Sequence, residues 1–398
     1  MLNYILKNAY LVAQEKTCDI AVRSGTFHYL QGTEASDGDE ILDLAGRMVI
    51  RGYCDLHTHL DKALVNARVK NRSGTLEEAI RLMASYKSAM TDRDILERAE
   101  TVLEMCFRNG TRYLRTHVDV DEGIGIRSVQ VLKELQQKYR DRIKLQIVAF
   151  PQEGIVERPG NYAALDQAMA AGADLVGGIP ATEKDPQRHI DMIFDLAEKY
   201  DAAIDMHIDE TDDPESHTLL QLAQTTLRRG WQGRVTAGHL CSLAANPPEK
   251  QGQVLEQVKA AGIQVISLPS TNLYLQGRHH PWNVPRGIAP IKRIAEEYRI
   301  PVALASDNIR DPFNPFGNGN PLQTALIAAH GCHMGGTDDL RTLFDMVSKT
   351  PLEMLGINPA FQEMEPADFV VIDAKSPEEA IVSQSPIYGY FQKRKVEV

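Results

Sequence analysis

Apolar and polar positions alternate in two different ways along this chain. From about residue 48 to 308, short apolar or β-branched runs are separated by stretches with helical periodicity. The runs are 48–53, YLRTHVDV at 113–120, KLQIVAF at 144–150, LVGGIP at 175–180, AAIDMHI at 202–208, RVTAGHL at 234–240, QVISLP at 264–269 and PVALASDN at 301–308. Each reads as a buried strand. Helical segments fall between them at 127–139, 162–170, 189–200, 219–229, 248–261 and 288–298. Ahead of these, Thr75-Leu-Glu-Glu78 has the capping-box pattern and opens an amphipathic run to about residue 89. Thr91 opens another that ends at Asn109-Gly110. Eight strands alternating with helices predict an α/β fold, the (β/α)8 TIM barrel.

The ends have a different texture. Residues 2–50 hold short runs at 4–5, 10–13, 20–22 and 41–44, broken by Gly25, Gly32, Gly38 and Gly46, which suits small antiparallel strands. DFVVIDA at 368–374 matches them near the other end, and 388–398 adds further strand-like sequence. Short strands need partners. Both termini are therefore expected to combine in one small β-sandwich domain, residues 1–48 with 356–398, beside a barrel of residues 49–355.

Composition narrows the class of partner. The 398 residues carry 43 Lys plus Arg against 54 Asp plus Glu, a formal net charge of −11. With no basic stripe, this disfavours nucleic acid. No run approaches a membrane span, and the N-terminal sequence lacks the apolar stretch of a signal peptide. Five cysteines at wide spacings, with no Cys-x-x-Cys pair, suit a reducing compartment, so a cytoplasmic protein is the expectation.

The candidate chemistry lies where strands end. His57 and His59 are two apart in CDLHTHLDK at 54–62, so on an extended chain both imidazoles point to one side. In a chain with 12 histidines such a pair also arises by chance. The other strands add weight. His207 closes the fifth run, His239 the sixth and Asp307 the eighth, each followed by polar or Gly-rich sequence. In a barrel these positions converge at the C-terminal mouth. Imidazoles and a carboxylate are the donors of a catalytic divalent metal site. His57, His59, His207 and Asp307 would form the shell, with His239 beside it.

The motifs carry a family resemblance. HTHLD at 57–61, RTHVDV at 115–120, LQIVAFPQEG at 145–154, IDMHIDE at 204–210, LQGR at 275–278 and SDNIRDPFNPFGNG at 306–319 resemble the amidohydrolase superfamily, and within it the cytosine deaminase-like branch. The likeness runs from about residue 45 to the end. The fourth strand ends in Gly177, Gly178, Ile179 and Pro180, with no lysine for a bridging carbamate. The resemblance thus implies one divalent metal ion per chain, Fe2+ or Zn2+. It also implies roles: Asp307 as general base, Glu210 as proton shuttle to a ring nitrogen, and His239 as the group that orients or polarises the attacking water. Gln152, whose amide both donates and accepts, would meet an O=C–N–H ring edge. Without the metal set, Glu210 would read as a solvated carboxylate in the acidic HIDETDD loop. His117 and Asp119 would support the metal residues or pair with each other in the core.

Lys62, Asn308 and Phe313 stand where cytosine deaminases commonly have threonine, a second aspartate and tryptophan, and are expected to contact substrate. ASDNIRD with PFGNG is similar to the triazine-side members, whereas Glu210 and LQGR are not. The expected function is a mononuclear metal-dependent aminohydrolase, a deaminase releasing ammonia from cytosine or a related amino-substituted pyrimidine or N-heterocycle. The alternatives are a triazine (ammelide-type) amidohydrolase and a non-catalytic barrel with structural histidines. The expected partner is a small N-heterocyclic substrate, and the expected assembly a homo-oligomer, although no stretch identifies an interface.

Overall fold

Eight parallel strands run round one sheet in chain order: Tyr53–Thr58, Thr111–Asp119, Lys144–Phe150, Leu175–Gly178, Ala203–Ile208, Val235–His239, Gln264–Ser267 and Val302–Leu304. In this computed structural model, which describes residues 3–31, 39–392 and 395–397, the first and last strands meet through one parallel bridge between Thr58 and Asp307. There the Asp307 N–H donates to His57 O at 2.8 Å. The TIM barrel therefore closes at two of the candidate site residues.

Helices Leu76–Lys87, Asp92–Arg108, Arg127–Tyr139, Pro159–Ala170, Pro186–Tyr200, Thr218–Arg229 and Pro248–Ala260 lie between the strands. The apolar faces of all but the first share one continuous core with strand residues such as Leu114, Ile147, Val176, Ile204, Val235 and Val302, while Leu76–Lys87 packs Ala79 and Met83 into a smaller cluster with Val65, Ile95 and Phe313. Local sequence sets the helix ends. Thr75 Oγ1 accepts from the Glu78 N–H at 3.3 Å, as the capping pattern predicts. The return half does not form, because the Glu78 carboxylate instead accepts from the Ser73 N–H at 2.7 Å. Short helices Pro269–Leu275, Pro321–Gly331 and Thr337–Asp345, beyond the seventh and eighth strands, have no counterpart in the periodicity reading.

Two expectations are corrected. Residues 48–53 are not one strand leading into the histidines. Met48–Ile50 belongs to the terminal sheet, and the barrel strand starts afresh at Tyr53. Gly52 makes the break: its φ is +125°, and a Cβ there would lie 2.3 Å from Arg112 Cγ, so only glycine fits. The helix expected over 288–298 is one π-type turn, Arg293–Glu297, in which Tyr298 N–H donates to Arg293 O. It begins after Pro290 and ends at Arg299, whose φ is +58°.

Both ends of the chain do meet in a second sheet, ordered Lys395–Glu397, Ile387–Gln392, Asp368–Ile372, Met48–Ile50, Asn3–Leu11, Lys16–Arg23, Thr26–Tyr29, with Asp39–Asp43 also pairing Asn3–Leu11. Asn3–Leu11 branches, pairing Asp39–Asp43 along its first half and Met48–Ile50 at its end. The sheet's own core is rich in phenylalanine: Phe27, Phe361, Phe369 and Phe391. Alternation then seats it on the barrel: Phe369, Val371 and Val49 face this core, while Val370, Ile372, Met48 and Ile50 join the barrel's core. Gly32 and Gly38 lie outside the described residues.

Candidate active site

The mouth of the barrel gathers the strand-end residues. His57 and His59 leave the first strand, His207 the fifth and His239 the sixth, and Asp307 follows the eighth; all are buried. His239 and Asp307 have left-handed backbones, φ +75° and +61°. Such conformations cost of order 1–3 kcal/mol and concentrate at functional sites. The turn carrying His59 is braced from outside, where Arg98 donates to Asp61 O at 2.8 Å and Ala63 O at 2.7 Å. Leu60 N–H is held by Thr116 Oγ1 at 3.0 Å.

Ligand-type atoms face one another here. His207 Nε2 lies 3.2 Å from both His57 Nε2 and His59 Nε2. Asp307 Oδ1 is 3.2 Å from His59 Nε2 and 3.7 Å from His57 Nε2. His239 completes a set with His57, His207 and Asp307 whose ligand atoms all lie within 4.8 Å of one another. One lone pair on His207 Nε2 cannot accept from two neighbours at once. His239 Nε2 and both Asp307 oxygens are buried with no hydrogen-bond partner.

This donor set fits a divalent metal. Donors about 2.1 Å from one ion stand about 3.4 Å apart along a tetrahedral edge. Burial, with the neighbouring rings and Lys62, holds His57, His59 and His207 well below the ordinary histidine range, so each imidazole is neutral, the ligating form. Burial also lowers His239, to about 4, with Asp307 opposing the shift. Asn272 Nδ2 sits 2.9 Å from His239 Nδ1, which fixes the ring with Nε2 towards the cluster. His117 packs against His57, centroids 3.9 Å apart and ring planes tilted by 31°, and lies 3.4 Å from Asp205, whose other oxygen pairs with Arg115 at 2.6 Å. That carboxylate is already neutralised, so His117 and Asp205 read as support beneath the cluster rather than as a second ion site.

A cavity of about 50 Å3 opens above the cluster, lined by His59, Lys62, Leu76, Ile80, Gln152, Ile179, Ala181, Thr182, His207, Glu210, His239, Asp307, Asn308 and Phe313. Every site residue proposed from sequence lines it except His57, which lies beneath. Glu210 Oε1 is 3.5 Å from His239 Nδ1. Burial, reinforced by the charge of Asp307, pushes the Glu210 carboxyl well above the ordinary range. It is thus able to hold a proton at neutral pH. Lys62 reaches the cavity, but its ammonium bonds Asp119 at 2.7 Å and Gln152 Oε1 at 3.2 Å. Asn308 Nδ2 donates to Asp311 Oδ2 at 2.7 Å. Asp119 does not pair with His117 but with Lys62 and Lys87.

Sequence reasoning missed Asn272, Asp311, Lys87 and the apolar wall of Leu76, Ile80 and Ile179. Asn272 follows the seventh strand, the one available signal. The others act through tertiary contacts that no local pattern announces.

With this geometry in view, the chain belongs to the amidohydrolase family, whose model matches residues 40–394. Members of this family depend on metal, and His57, His207, His239 and Asp307 form a group that could hold it. The chain is similar to the N-isopropylammelide isopropyl amidohydrolase of Pseudomonas sp. (strain ADP), 31% identical over 96% of this chain and 93% of that protein. It is also similar to the pterin deaminase of Rhizobium rhizogenes (strain K84 / ATCC BAA-868), 33% identical over 84% of this chain and 76% of that protein. Among solved structures, 5-methylcytosine deaminase from Klebsiella pneumoniae liganded with phosphonocytosine superposes with a TM-score of 0.93 at 34% identity, covering 100% of this chain and 98% of that one. The chain is therefore a hydrolase acting on C–N bonds. No helix among the described residues is long and apolar enough to cross a membrane.

Proposed function

We propose that this chain is a mononuclear aminohydrolase that removes the exocyclic amine of cytosine or a related amino-substituted pyrimidine, releasing ammonia. The observation that carries this reading is the meeting of the buried Nε2 atoms of His57, His59 and His207, which face one another, and the unpartnered oxygens of Asp307 with the raised carboxyl of Glu210 across one small cavity. These four residues would hold one Fe2+ or Zn2+ ion. When bound, the ion lowers the pKa of water to near neutrality, about 7, and so supplies the nucleophile.

The chain's own groups do the rest. Asp307 accepts the proton released from water, its free oxygens facing the cavity. Glu210, kept protonated by burial beside Asp307, donates to the ring nitrogen and then assists departure of ammonia. His239, neutral and fixed by Asn272, aims Nε2 at the attacking oxygen. Gln152 has its carbonyl engaged by Lys62, which turns its NH2 towards the substrate and favours a ring carbonyl at that position. Phe313 and Ile80 line the cavity and would pack against the ring faces.

Asn308 shapes the choice of substrate. Its NH2 is tied to Asp311, so its oxygen is the atom free to meet the ring, without the charge of an aspartate. Cytosine is expected to be a modest substrate and a 5-substituted cytosine a better one, which accords with the likeness to the 5-methylcytosine deaminase of Klebsiella pneumoniae. A triazine substrate is the second reading, favoured by Lys62 and by the likeness to the Pseudomonas amidohydrolase over nearly the whole chain. Ammonia release and kcat/KM over cytosine, 5-methylcytosine, pterin and ammelide-type triazines, on the parent and on Asn308→Asp, decide between them. A parent that prefers cytosine at least about tenfold, with the ratio unchanged in Asn308→Asp, contradicts this role for Asn308.

A further inference from the structure

The loops after the third and fourth barrel strands build one side of the cavity: the first carries Gln152, the second Ile179, Ala181 and Thr182. One buried pair joins them. Glu183 Oε1 accepts from the N–H groups of Ile155 and Val156 and from His189 Nδ1 at 2.9 Å. On the other side of its ring, His189 Nε2 accepts the Ile179 N–H at 3.1 Å. An acceptor Nε2 places the ring proton on Nδ1, so both partners together fix one neutral tautomer. Burial lowers His189. Burial alone would raise Glu183, but the His189 bond and the two backbone N–H groups hold it below the ordinary carboxylate range. The fit is close, since a Cβ at Gly178 would lie 2.6 Å from His189 Nε2.

We infer that Glu183 and His189 are positioning residues. They form a clasp that registers the Gln152 loop against the Ile179 to Thr182 wall and thereby sets how well the cavity binds a ring edge. Neither side chain lines the cavity. The clasp is not the only anchor of the Gln152 loop. Asn161 Nδ2 donates to Gly154 O at 2.8 Å and its Oδ1 accepts from the Glu122 N–H at 3.0 Å. Cutting the clasp should therefore shift the loop without unfolding it. A displacement of about 1 Å in a group that positions the substrate can cost on the order of 10²-fold in kcat/KM. The kinetic consequence rests on the aminohydrolase reading; the coupling of the two loops does not.

Two readouts on metal-loaded protein test this with Glu183→Ala and the conservative Glu183→Gln. The first is amide hydrogen exchange at Ile155, Val156 and Ile179. Glu183→Ala should speed exchange at all three, including Ile179, which Glu183 does not touch, while Glu183→Gln restores protection. The second is kinetics on the better substrate among cytosine, 5-methylcytosine and ammelide. Glu183→Ala should raise KM by about tenfold or more, leave kcat and metal content nearly unchanged, and make a further Gln152→Ala change cost little. Unchanged exchange at Ile179 in Glu183→Ala, or faster exchange with KM unmoved, overturns the inference. Coupled exchange in a protein that turns over none of these heterocycles supports the clasp and refutes the functional reading.

Discussion

Two buried polar clusters sit side by side at the barrel mouth and are built on opposite principles. In one, Lys62 and Lys87 meet Asp119, Asp121 and Glu153, and each charge has an opposite partner within 2.9 Å. In the other, His57, His59, His207, His239 and Asp307 bring ring nitrogens and carboxylate oxygens face to face, with His239 Nε2 and both Asp307 oxygens unpartnered. A buried polar atom without a partner costs about 1–3 kcal/mol. The satisfied cluster explains itself as scaffold, whereas the donor atoms of the other are what a bound cation would satisfy. Lys62 links the first cluster to the cavity, since its ammonium holds Asp119 while also fixing Gln152 there.

Substitutions in the two clusters should separate function from scaffold. The largest effect is expected for His59→Ala, which should lose metal and activity together, read by metal analysis and ammonia release. Glu210→Gln should keep its metal, because Glu210 is not a ligand in this account, while turnover falls by roughly 10² or more. Loss of metal in that variant would mean the shell is wrongly drawn. In the satisfied cluster, Lys87→Met removes the buried partner of Asp121 and Glu153, while Asp119 keeps Lys62. Denaturant unfolding should show a loss of about 3–5 kcal/mol, the usual result of breaking a buried ion pair, with metal content per folded chain unchanged.

The smallest expected effect concerns pH. Burial pushes the Asp311 carboxyl up to about 7, with the Asn308 amide and the Asn314 and Phe313 N–H groups opposing the shift. A folded-state pKa above the unfolded one means that protonation favours the fold. The contribution is complete below the ordinary carboxylate value, about 4, and disappears as pH rises through about 7. Melting temperature against pH should therefore be flatter for Asp311→Asn over that window than for the parent.

The sequence pattern carried much of this. Strand ends were legible because apolar runs stop at His207, His239 and Asp307, and barrel topology converts that linear fact into a shared mouth. The first strand was misplaced because the apolar run 48–50 is followed within three residues by Tyr53 and the strand into His57, and only the approach of Arg112 to Gly52 shows where the chain changes sheets. Lys62 was legible as a pocket residue but not as a member of an ion cluster, since it joins Lys87 and Asp121 only through Asp119, on the next barrel strand. The same holds for Gln152 and Asn308. Their amides looked free to donate and accept, and only tertiary contacts with Lys62 and Asp311 show which half is spent.

The most direct test of the central claim is metal stoichiometry measured with activity on the same protein. Purified chain is stripped with a chelator, reloaded with Fe2+ or Zn2+, and assayed for ammonia release from cytosine and 5-methylcytosine at each step. The account predicts about one equivalent of metal per chain, loss of activity on stripping, and its return in proportion to the metal rebound. A folded, metal-free chain that remains fully active would contradict it.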